Sequence, residues 1–339
     1  MRDTSQLGRR RERVLKAIIE EYVYSAVPVG SATVLRRSGL DVSSATVRND
    51  MAALEADGFI SQPHTSAGRV PSEHGYRWYV DNWASAKRLP SRDQDEIGDF
   101  FAEVGAGVER LLAGTSRLLT SLTSLVAVVL APHWQDAALA SVHLTMLEPR
   151  SLLLVLVTRS ARVVKVTVET EADVASDRIA VADAILNRHL VGSSEWKLHA
   201  LAVQHPDPEV AIVLGSVRDA LDRADAAESE LYSGGLAHLA GVLGPADELA
   251  EVLELLDEQQ RMAELLQHLV EGERLGVVVR IGSEVPSLHA MSVVAAPYRA
   301  GDATGALGLL GPLRMDYTHA MSAVHAVTDQ LESTLQDGS

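Results

Sequence analysis

The 339-residue chain is 47% hydrophobic but only 4% aromatic, which provides aliphatic side chains for the cores of two or three domains and excludes a disordered protein. It has no cysteine, no apolar run near the roughly 18 residues of a membrane helix and no recognisable signal peptide, so we expect no disulfides and a cytoplasmic location. The net charge of −16 is uneven: residues 1–88 hold 13 basic and 10 acidic side chains and residues 89–339 hold 17 and 36, which favours a single DNA-binding end.

Apolar residues at helical spacing predict a first helix from Arg9 to Tyr24. Its opening turn is rich in arginine, which is the wrong charge for the N-terminus of a helix. One interpretation is a solvated run of charge. The other is contact with phosphate, for which the candidates are Arg10 and Arg11.

Two short helices follow. The first is expected to be capped by Ser31 and ended by Gly39, and the second to run over Ser44–Ala56 with Ser43 as its N-cap. Two helices separated by a tight turn of four residues are typical of a helix-turn-helix.

The second of these helices has one apolar and one small, polar face. Its inward stripe consists of Val47, Met51 and Leu54. The opposite face comprises Ala45, Asn49 and Ala52, with Thr46 and Arg48 on its flanks. Small residues let a helix enter the major groove, where asparagine pairs with adenine and arginine with guanine. A recognition helix and an ordinary solvated helix both fit this pattern when it is taken alone.

The next segment predicts a wing. Short strands at Phe59–Ser61 and Arg69–Val70 enclose a polar loop that ends in glycine. Its donors are expected to contact phosphate or the minor groove and are His64, Thr65, Ser66 and Arg69. The helix after Ser72 carries an aromatic stripe, which is typical of a core.

The remainder predicts a mixed body. After a linker at 89–96, a long helix is expected over Ile97–Leu122. Strands are predicted at 125–130, 139–147, 152–157 and 163–168, helices at 175–189 and 209–232, and further strands at 276–282 and 290–296. A helix over 249–269 and a final helix capped by Asp316 complete the chain. The strands that resume after the helices indicate an insertion.

The sequence contains no motif of a hydrolase, a zinc peptidase, a phosphate-binding loop or a dinucleotide fold. The glycines at 305, 308 and 311 flank a short strand and favour turns over phosphate binding. We therefore expect no catalytic residue, no metal and no cofactor.

Residues 42–58 (VSSATVRNDMAALEADG) and 62–81 (QPHTSAGRVPSEHGYRWYVD) resemble the family of heat-inducible transcription repressors called HrcA. Further matches are PVGS at 28–31, RIGSE at 280–284, SVV at 292–294 and GPLRMDY at 311–317. The resemblance therefore spans nearly the whole chain.

The resemblance implies an α+β multidomain protein. A winged helix-turn-helix occupies 1–88, and a GAF-like α/β domain at 89–172 and 236–339 is interrupted by a dimerising insertion at 173–235. It implies a homodimer that binds an inverted-repeat operator on double-stranded DNA upstream of chaperonin operons, is kept active by the GroE chaperonin and is released by heat. Operator contacts would fall on 43–49 and 64–69, and therefore include Ser43, Ser44, Thr46, Arg48 and Asn49.

Two other functions remain open at this point. The GAF-like domain would bind a small molecule in a metabolite-responsive regulator, which a change of melting temperature with a metabolite would reveal. An enzyme fused to a DNA-binding module has no motif in its favour.

Overall fold

The computed structural model describes residues 7–64, 67–104, 107–132, 138–159, 163–192, 205–227, 230–235, 258–271, 276–285, 289, 291–301 and 303–337. No helix in these segments combines the length and the apolar character that crossing a bilayer requires.

The N-terminal module is a winged helix-turn-helix, as the sequence predicts. Its elements are α1 (Arg9–Ser25), α2 (Ser31–Ser38), α3 (Ser44–Ala56), β1 (Ile60–Ser61), β2 (Val70–Pro71) and α4 (Glu73–Asn82). The start of α2 differs from the prediction, because Ser31 is already helical and Gly30 is the N-cap. Glycine is among the residues preferred at an N-cap, although it provides no side-chain hydrogen bond to the helix.

The body is built on a five-stranded sheet in which every pairing is antiparallel. Its strands are β3 (Val126–Leu130), β7 (Leu231–Gly234), β8 (Val278–Ile281), β9 (Met291–Ala300) and β10 (Ala303–Pro312). They are ordered β7-β3-β10-β9-β8, so the first and last strands in sequence lie side by side at the centre. This open antiparallel sheet agrees with the mixed, GAF-like body that the sequence led us to expect.

Helices cover both faces of this sheet. One face packs against α6 (Val108–Thr123) and α10 (Tyr317–Asp337), and the other against α9 (Gln259–Val270). The long helix predicted over 97–122 is wrong in one respect: α5 (Ser91–Glu103) ends before α6 begins. Gly107 has a φ of 129°, which places a bend inside a pattern that is apolar on both sides. The predicted linker at 89–96 is also mostly helical, since α5 begins at Ser91.

A second body has its own sheet and core. The strands β4 (Leu139–Glu148), β5 (Ser151–Thr158) and β6 (Val163–Glu169) form an antiparallel meander, which is covered by α7 (Ser176–Leu190) and α8 (Pro208–Ala227). The buried residues of this core run from Leu139 to Leu221 and are separate from the cores around the five-stranded sheet.

The insertion therefore differs from the predicted span of 173–235. It includes β4, β5 and β6, and the chain rejoins the first sheet at β7, a strand that the sequence analysis took for the end of a helix. Alternation of apolar and polar residues identifies a strand but does not tell which sheet the strand joins. The insertion leaves and returns at adjacent positions, because Leu130 pairs with Leu231 and the Ala131 amide donates to the Glu230 carbonyl at 2.9 Å.

Candidate nucleic-acid interface

Helix α3 exposes the face that the sequence predicts. The Ser43 hydroxyl caps the helix by accepting from the Thr46 amide at 3.1 Å. Val47, Met51 and Leu54 are buried. The exposed residues of the helix include Ala45, Arg48, Asn49 and Ala52, while Ser44 and Thr46 are half-buried. The small side chains of Ala45 and Ala52 leave this face of α3 open, and the longer side chains of Arg48 and Asn49 extend from it.

One acidic residue lies on the inward side of α3. The Asp50 side chain is 3% exposed and accepts a bidentate pair of hydrogen bonds from Arg10, at 2.7 Å from Nε and 2.9 Å from Nη2. This fork geometry fixes the orientation of both partners. The hydrogen bonds and charge of Asp50 raise the pKa of Arg10, so the guanidinium is charged throughout the physiological range. Arg10 therefore ties α1 to α3.

The other arginines of α1 also have partners within the module. Arg11 lies 3.9 Å from Asp50 and 3.7 Å from the Asp57 carboxylate at the end of α3. Arg13 donates to the carbonyls of Ser38 and Gly39, where α2 ends. The unfavourable charge in the first turn of α1 is thus offset inside the protein. Arg10 and Arg11 hold the helices of the motif in place, and their expected contact with the DNA backbone stays a prediction.

The N-termini of α2 and α3 lie side by side. The hydroxyls of Ser31 and Ser44 are 3.4 Å apart, and the Arg48 guanidinium reaches Ser31 with Nε at 3.4 Å. Arg48 is exposed, and within the described segments this long contact is its only hydrogen bond. Two helix N-termini present unpaired amides on one surface, where an anion such as phosphate is stabilised.

The wing is an antiparallel pair that is extended by the segment before α2. Ile60 pairs with Pro71 and Ser61 with Val70, and the backbones of Arg69 and Val29 exchange two hydrogen bonds of 2.8 and 2.9 Å. A side chain at Gly68 would lie 2.6 Å from the backbone of Pro28. Glycine is therefore required at 68 for the wing to approach the helix-turn-helix so closely.

Arg69 is fixed at the base of the wing. Its guanidinium contacts the Glu55 carboxylate at 2.7 Å from Nη2 and 3.0 Å from Nε, and its side chain is 19% exposed. This contact joins the wing to the last turn of α3. Arg69 orients the wing toward α3, and the phosphate contact expected from the sequence stays a prediction.

His64 lies at the exposed end of the wing. Its carbonyl accepts from the Ala67 amide at 2.9 Å, and Gln62 donates to the Ala67 carbonyl at 3.0 Å. Thr65 and Ser66, predicted to contact DNA, lie outside the described residues. The predicted interface residues on α3 and His64 therefore lie on the outer surface, while three of the four predicted arginines, Arg10, Arg11 and Arg69, pair with carboxylates.

Sequence reasoning missed Asp50 and Glu55 as the partners of these arginines. A signal for Asp50 was present, because it lies three residues after Val47 and four before Leu54, on the inward stripe. A carboxylate in that position needs a cationic partner. The arginine-rich first turn of α1 supplied one, but their pairing across 40 residues depends on the fold.

The described residues offer little for other chemistry. No three histidines or carboxylates among them come together as a metal site. An open surface cavity of about 650 Å³ lies in the second body, lined by Glu169, Thr170, Glu171, Ser216, Asp219 and Arg223. None of these lining residues belongs to the winged helix or to the five-stranded sheet.

Comparisons with known proteins agree with this arrangement. The model of the HrcA protein C-terminal domain matches residues 109–321. Two similar proteins are the heat-inducible transcription repressors HrcA of a Nocardioides species and of Thermobifida fusca. The first is 37% identical over 97% of this chain and 99% of its own length, and the second is 39% identical over 96% of each.

A further relative is the heat-inducible transcription repressor HrcA of Pseudarthrobacter chlorophenolicus, 38% identical over 96% of this chain and 98% of its own. Among solved structures, the crystal structure of a hypothetical protein at 2.2 Å resolution covers 98% of this chain and 100% of its own, with a TM-score of 0.61 and 24% identity. That likeness concerns the fold alone.

Proposed function

The chain belongs to the HrcA family of heat-inducible transcription repressors, and from this premise we propose that it represses chaperonin operons as a homodimer bound to an inverted-repeat operator. It is a DNA-binding negative regulator of heat-shock transcription and not an enzyme. The finer elements of the proposal are the operator contacts, the dimer, the chaperonin partner and action in the cytoplasm, where a bacterial chromosome lies.

The main support for the proposed operator contacts is that the two sides of α3 have different roles. Its inner side is anchored by the Arg10–Asp50 pair, and its outer side presents Arg48 and Asn49 on a face of small residues. An anchored helix with a shallow outer face fits the major groove, where each good bidentate contact discriminates between bases by about 1 to 3 kcal/mol. The wing beside it suits contacts to the sugar-phosphate backbone.

A homodimer follows from the need for affinity. One recognition helix reads only a few base pairs, and two related by a two-fold axis read an inverted repeat. The proposed dimer contact is the second body. Its sheet turns Leu153, Val155 and Val157 of the central strand away from its own core, and all three remain partly exposed. An apolar row on a partly exposed sheet face is typical of a surface that another protein covers.

The GroE chaperonin is the proposed partner that maintains the active fold. An ordinary net stability of about 5 to 15 kcal/mol lets modest heating or a helper protein change the fraction of active molecules. Heat diverts the chaperonin to other unfolded proteins, and repression ends. The alternative of a metabolite sensor is not favoured by any contact in the described residues, since apolar side chains fill both faces of the five-stranded sheet.

The first test is a salt titration of the purified protein on a duplex that carries the inverted repeat upstream of the chaperonin operon, against a scrambled duplex. We expect a preference of about 10³ or more at physiological salt. A preference near one in the presence of GroE and ATP would contradict the proposed target.

The role of the chaperonin is tested in the same assay by titrating the protein with operator at concentrations well above the dissociation constant, which gives the fraction of molecules that bind DNA. Added GroE with ATP is expected to increase the fraction of protein that binds operator and to leave the base preference unchanged. GroE without ATP is the control. A constant active fraction after mild heating, with and without GroE, would exclude the chaperonin from the mechanism.

A further inference from the structure

The DNA-binding module is joined to the body through α4 by two charged side chains. Glu73, in the first turn of α4, accepts hydrogen bonds from the Ser283 amide at 2.9 Å and from the Ser283 hydroxyl. One turn later, Arg77 donates to the Val279 carbonyl and to the Glu284 carboxylate, both at 2.9 Å. These bonds connect residues more than 200 positions apart.

The body supplies a turn that is shaped for these contacts. Residues Gly282–Glu284 form one turn of 3-10 helix after β8, and the Glu284 carboxylate also accepts from the Ile281 amide at 3.0 Å. Gly282 has a φ of 56°, and a Cβ there would lie 2.5 Å from Oε2 of Glu73. The positive φ favours glycine, and a side chain at 282 would displace the Glu73 carboxylate; RIGSE at 280–284 therefore lies against the DNA-binding module.

A second group of contacts joins the module to the segment between β10 and α10 and to α10 itself. Arg314 donates to the Val23 carbonyl in the last turn of α1 at 3.1 Å, a favourable position for a cation. The rings of Tyr76 and Tyr317 lie 5.8 Å apart, and the Ser322 hydroxyl accepts from the Lys87 amide at 2.9 Å. The GPLRMDY stretch at 311–317 thus contacts both α1 and α4.

We infer that Glu73, Arg77 and the turn Gly282–Glu284 are positioning residues that fix the recognition helix relative to the body and so determine which spacing of operator half-sites the protein accepts. The contacts continue to α3, because α1 is bonded to the body through Arg314 and to Asp50 through Arg10. Hydrogen bonds to charged groups are directional and define an angle as well as a distance.

Only the part of the inference that concerns half-site spacing rests on the proposed dimer; the rigid attachment of the module does not. If the body carries the dimer contact, the separation and angle of the two recognition helices are constant only when each module is rigidly attached to its body. An inverted repeat with a different spacing rotates one half-site about the duplex axis, by about 35° for each added base pair. A rigid attachment therefore rejects such operators, and a loosened one tolerates them.

The rigidity is measured without any assumption about the dimer. The chain has no cysteine, so spin labels attach only at introduced ones. Ala56→Cys at the end of α3 and Ser333→Cys on α10 replace exposed residues. The labelled full-length protein is mixed with excess unlabelled protein, and the distance distribution is recorded by double electron–electron resonance. We expect a narrow distribution for the parent protein.

Two variants loosen the contact, and one is a matched control. Gly282→Ala places a methyl group where the Glu73 carboxylate lies and displaces it from Ser283, and Glu73→Ala removes the carboxylate. Gly301→Ala is the control, since Gly301 also has a positive φ of 63° but has no atom within 4 Å of its would-be Cβ. The first two variants are expected to broaden the distance distribution at least twofold, and the control to leave it unchanged. Equal distributions in all four proteins overturn the inference.

The operator spacing is tested on duplexes that the parent protein selects from a random pool, rebuilt with two extra base pairs between the half-sites. We expect the parent and Gly301→Ala to lose at least about tenfold in affinity and the two loosened variants to lose less than about threefold. Selected duplexes without two half-sites, or a monomer by light scattering, would contradict the dimer and leave the distance measurement to decide on rigidity. If a loosened variant is a dimer with a broadened distance distribution but keeps the parent's preference for half-site spacing, the attachment of the module does not determine that spacing.

Discussion

The DNA-binding module and the second body each occupy one continuous segment of the chain, but they are built into the molecule in different ways. The buried residues of the module, from Val14 to Val80, belong to one core with α6, α10 and one face of the five-stranded sheet. The second body has a core of its own. The DNA-binding module, which has a recognisable motif, shares its core with the first body, whereas the second body, which has none, has a separate core. Chain order and motif boundaries therefore do not tell where a core ends.

Removing the second body is the strongest test of this comparison. Residues 132–229 can be replaced by Asn-Gly, because Leu130 and Leu231 are already paired as neighbours in an antiparallel hairpin. We expect the remaining protein to melt cooperatively but, if the second body makes the dimer, to bind operator about 10³-fold more weakly as a monomer. Calorimetry, light scattering and operator titration measure the three properties.

The matched comparison is the isolated segment 1–88. It loses the contacts of Tyr76 with Tyr317 and of Arg77 with Glu284, and it exposes the apolar residues that face α10. We therefore expect it to be less stable than the deletion protein. If the deletion protein remains a dimer, the dimer contact lies on another surface. If the 1–88 fragment is as stable as the deletion protein, the module does not depend on the core that it shares with the body.

Asp50→Ala tests how strongly the module is held from within. The change leaves Arg10 without its bidentate partner and empties a buried polar position, so we expect the free energy of unfolding to fall by about 2 to 3 kcal/mol, measured by urea denaturation. Asp57→Ala is the control, because its carboxylate is partly exposed and lies 3.7 Å from Arg11; we expect a change below about 0.5 kcal/mol. Equal losses would mean that the Asp50 pair contributes no more than a surface contact.

The outer face of α3 is tested by Arg48→Ala and Asn49→Ala. Each is expected to reduce the preference for operator over scrambled duplex by about 1 to 2 kcal/mol while leaving the melting temperature nearly unchanged. Arg36→Ala is the control, since Arg36 is also exposed, on α2, and in the described part of the chain it donates a hydrogen bond only to the Thr33 hydroxyl. Its loss is expected to weaken both duplexes equally and to lower the salt dependence. The same pattern from Arg48→Ala would remove it from base recognition.

The sequence predicted most of the module and the exposed face of α3; the DNA contacts of that face stay a prediction. Capping serines, glycines and the apolar stripe located α3 and its outer face, because these signals are local. The roles of Arg10, Arg11 and Arg69 were not predictable in the same way. Whether a surface arginine meets phosphate or a carboxylate depends on Asp50, Asp57 and Glu55, which the fold brings close. The extent of the insertion was also missed, since strand patterns do not specify pairing partners across a long insertion.

The smallest effects are expected where the module meets the body, at two buried phenols. Burial raises the pKa of Tyr76 and of Tyr317, so both are neutral. The Tyr76 hydroxyl has no hydrogen-bond partner among the described residues, whereas that of Tyr317 lies 2.8 Å from the Ser292 hydroxyl and donates to the Leu313 carbonyl at 2.7 Å. Tyr317→Phe is therefore expected to lower the free energy of unfolding by about 1 kcal/mol, and Tyr76→Phe to leave it unchanged or slightly higher. Thermal melts of the two variants distinguish these outcomes. A loss from Tyr76→Phe as large as that from Tyr317→Phe would show that the hydroxyl of Tyr76 is bonded in solution and that the junction is more polar than its core suggests.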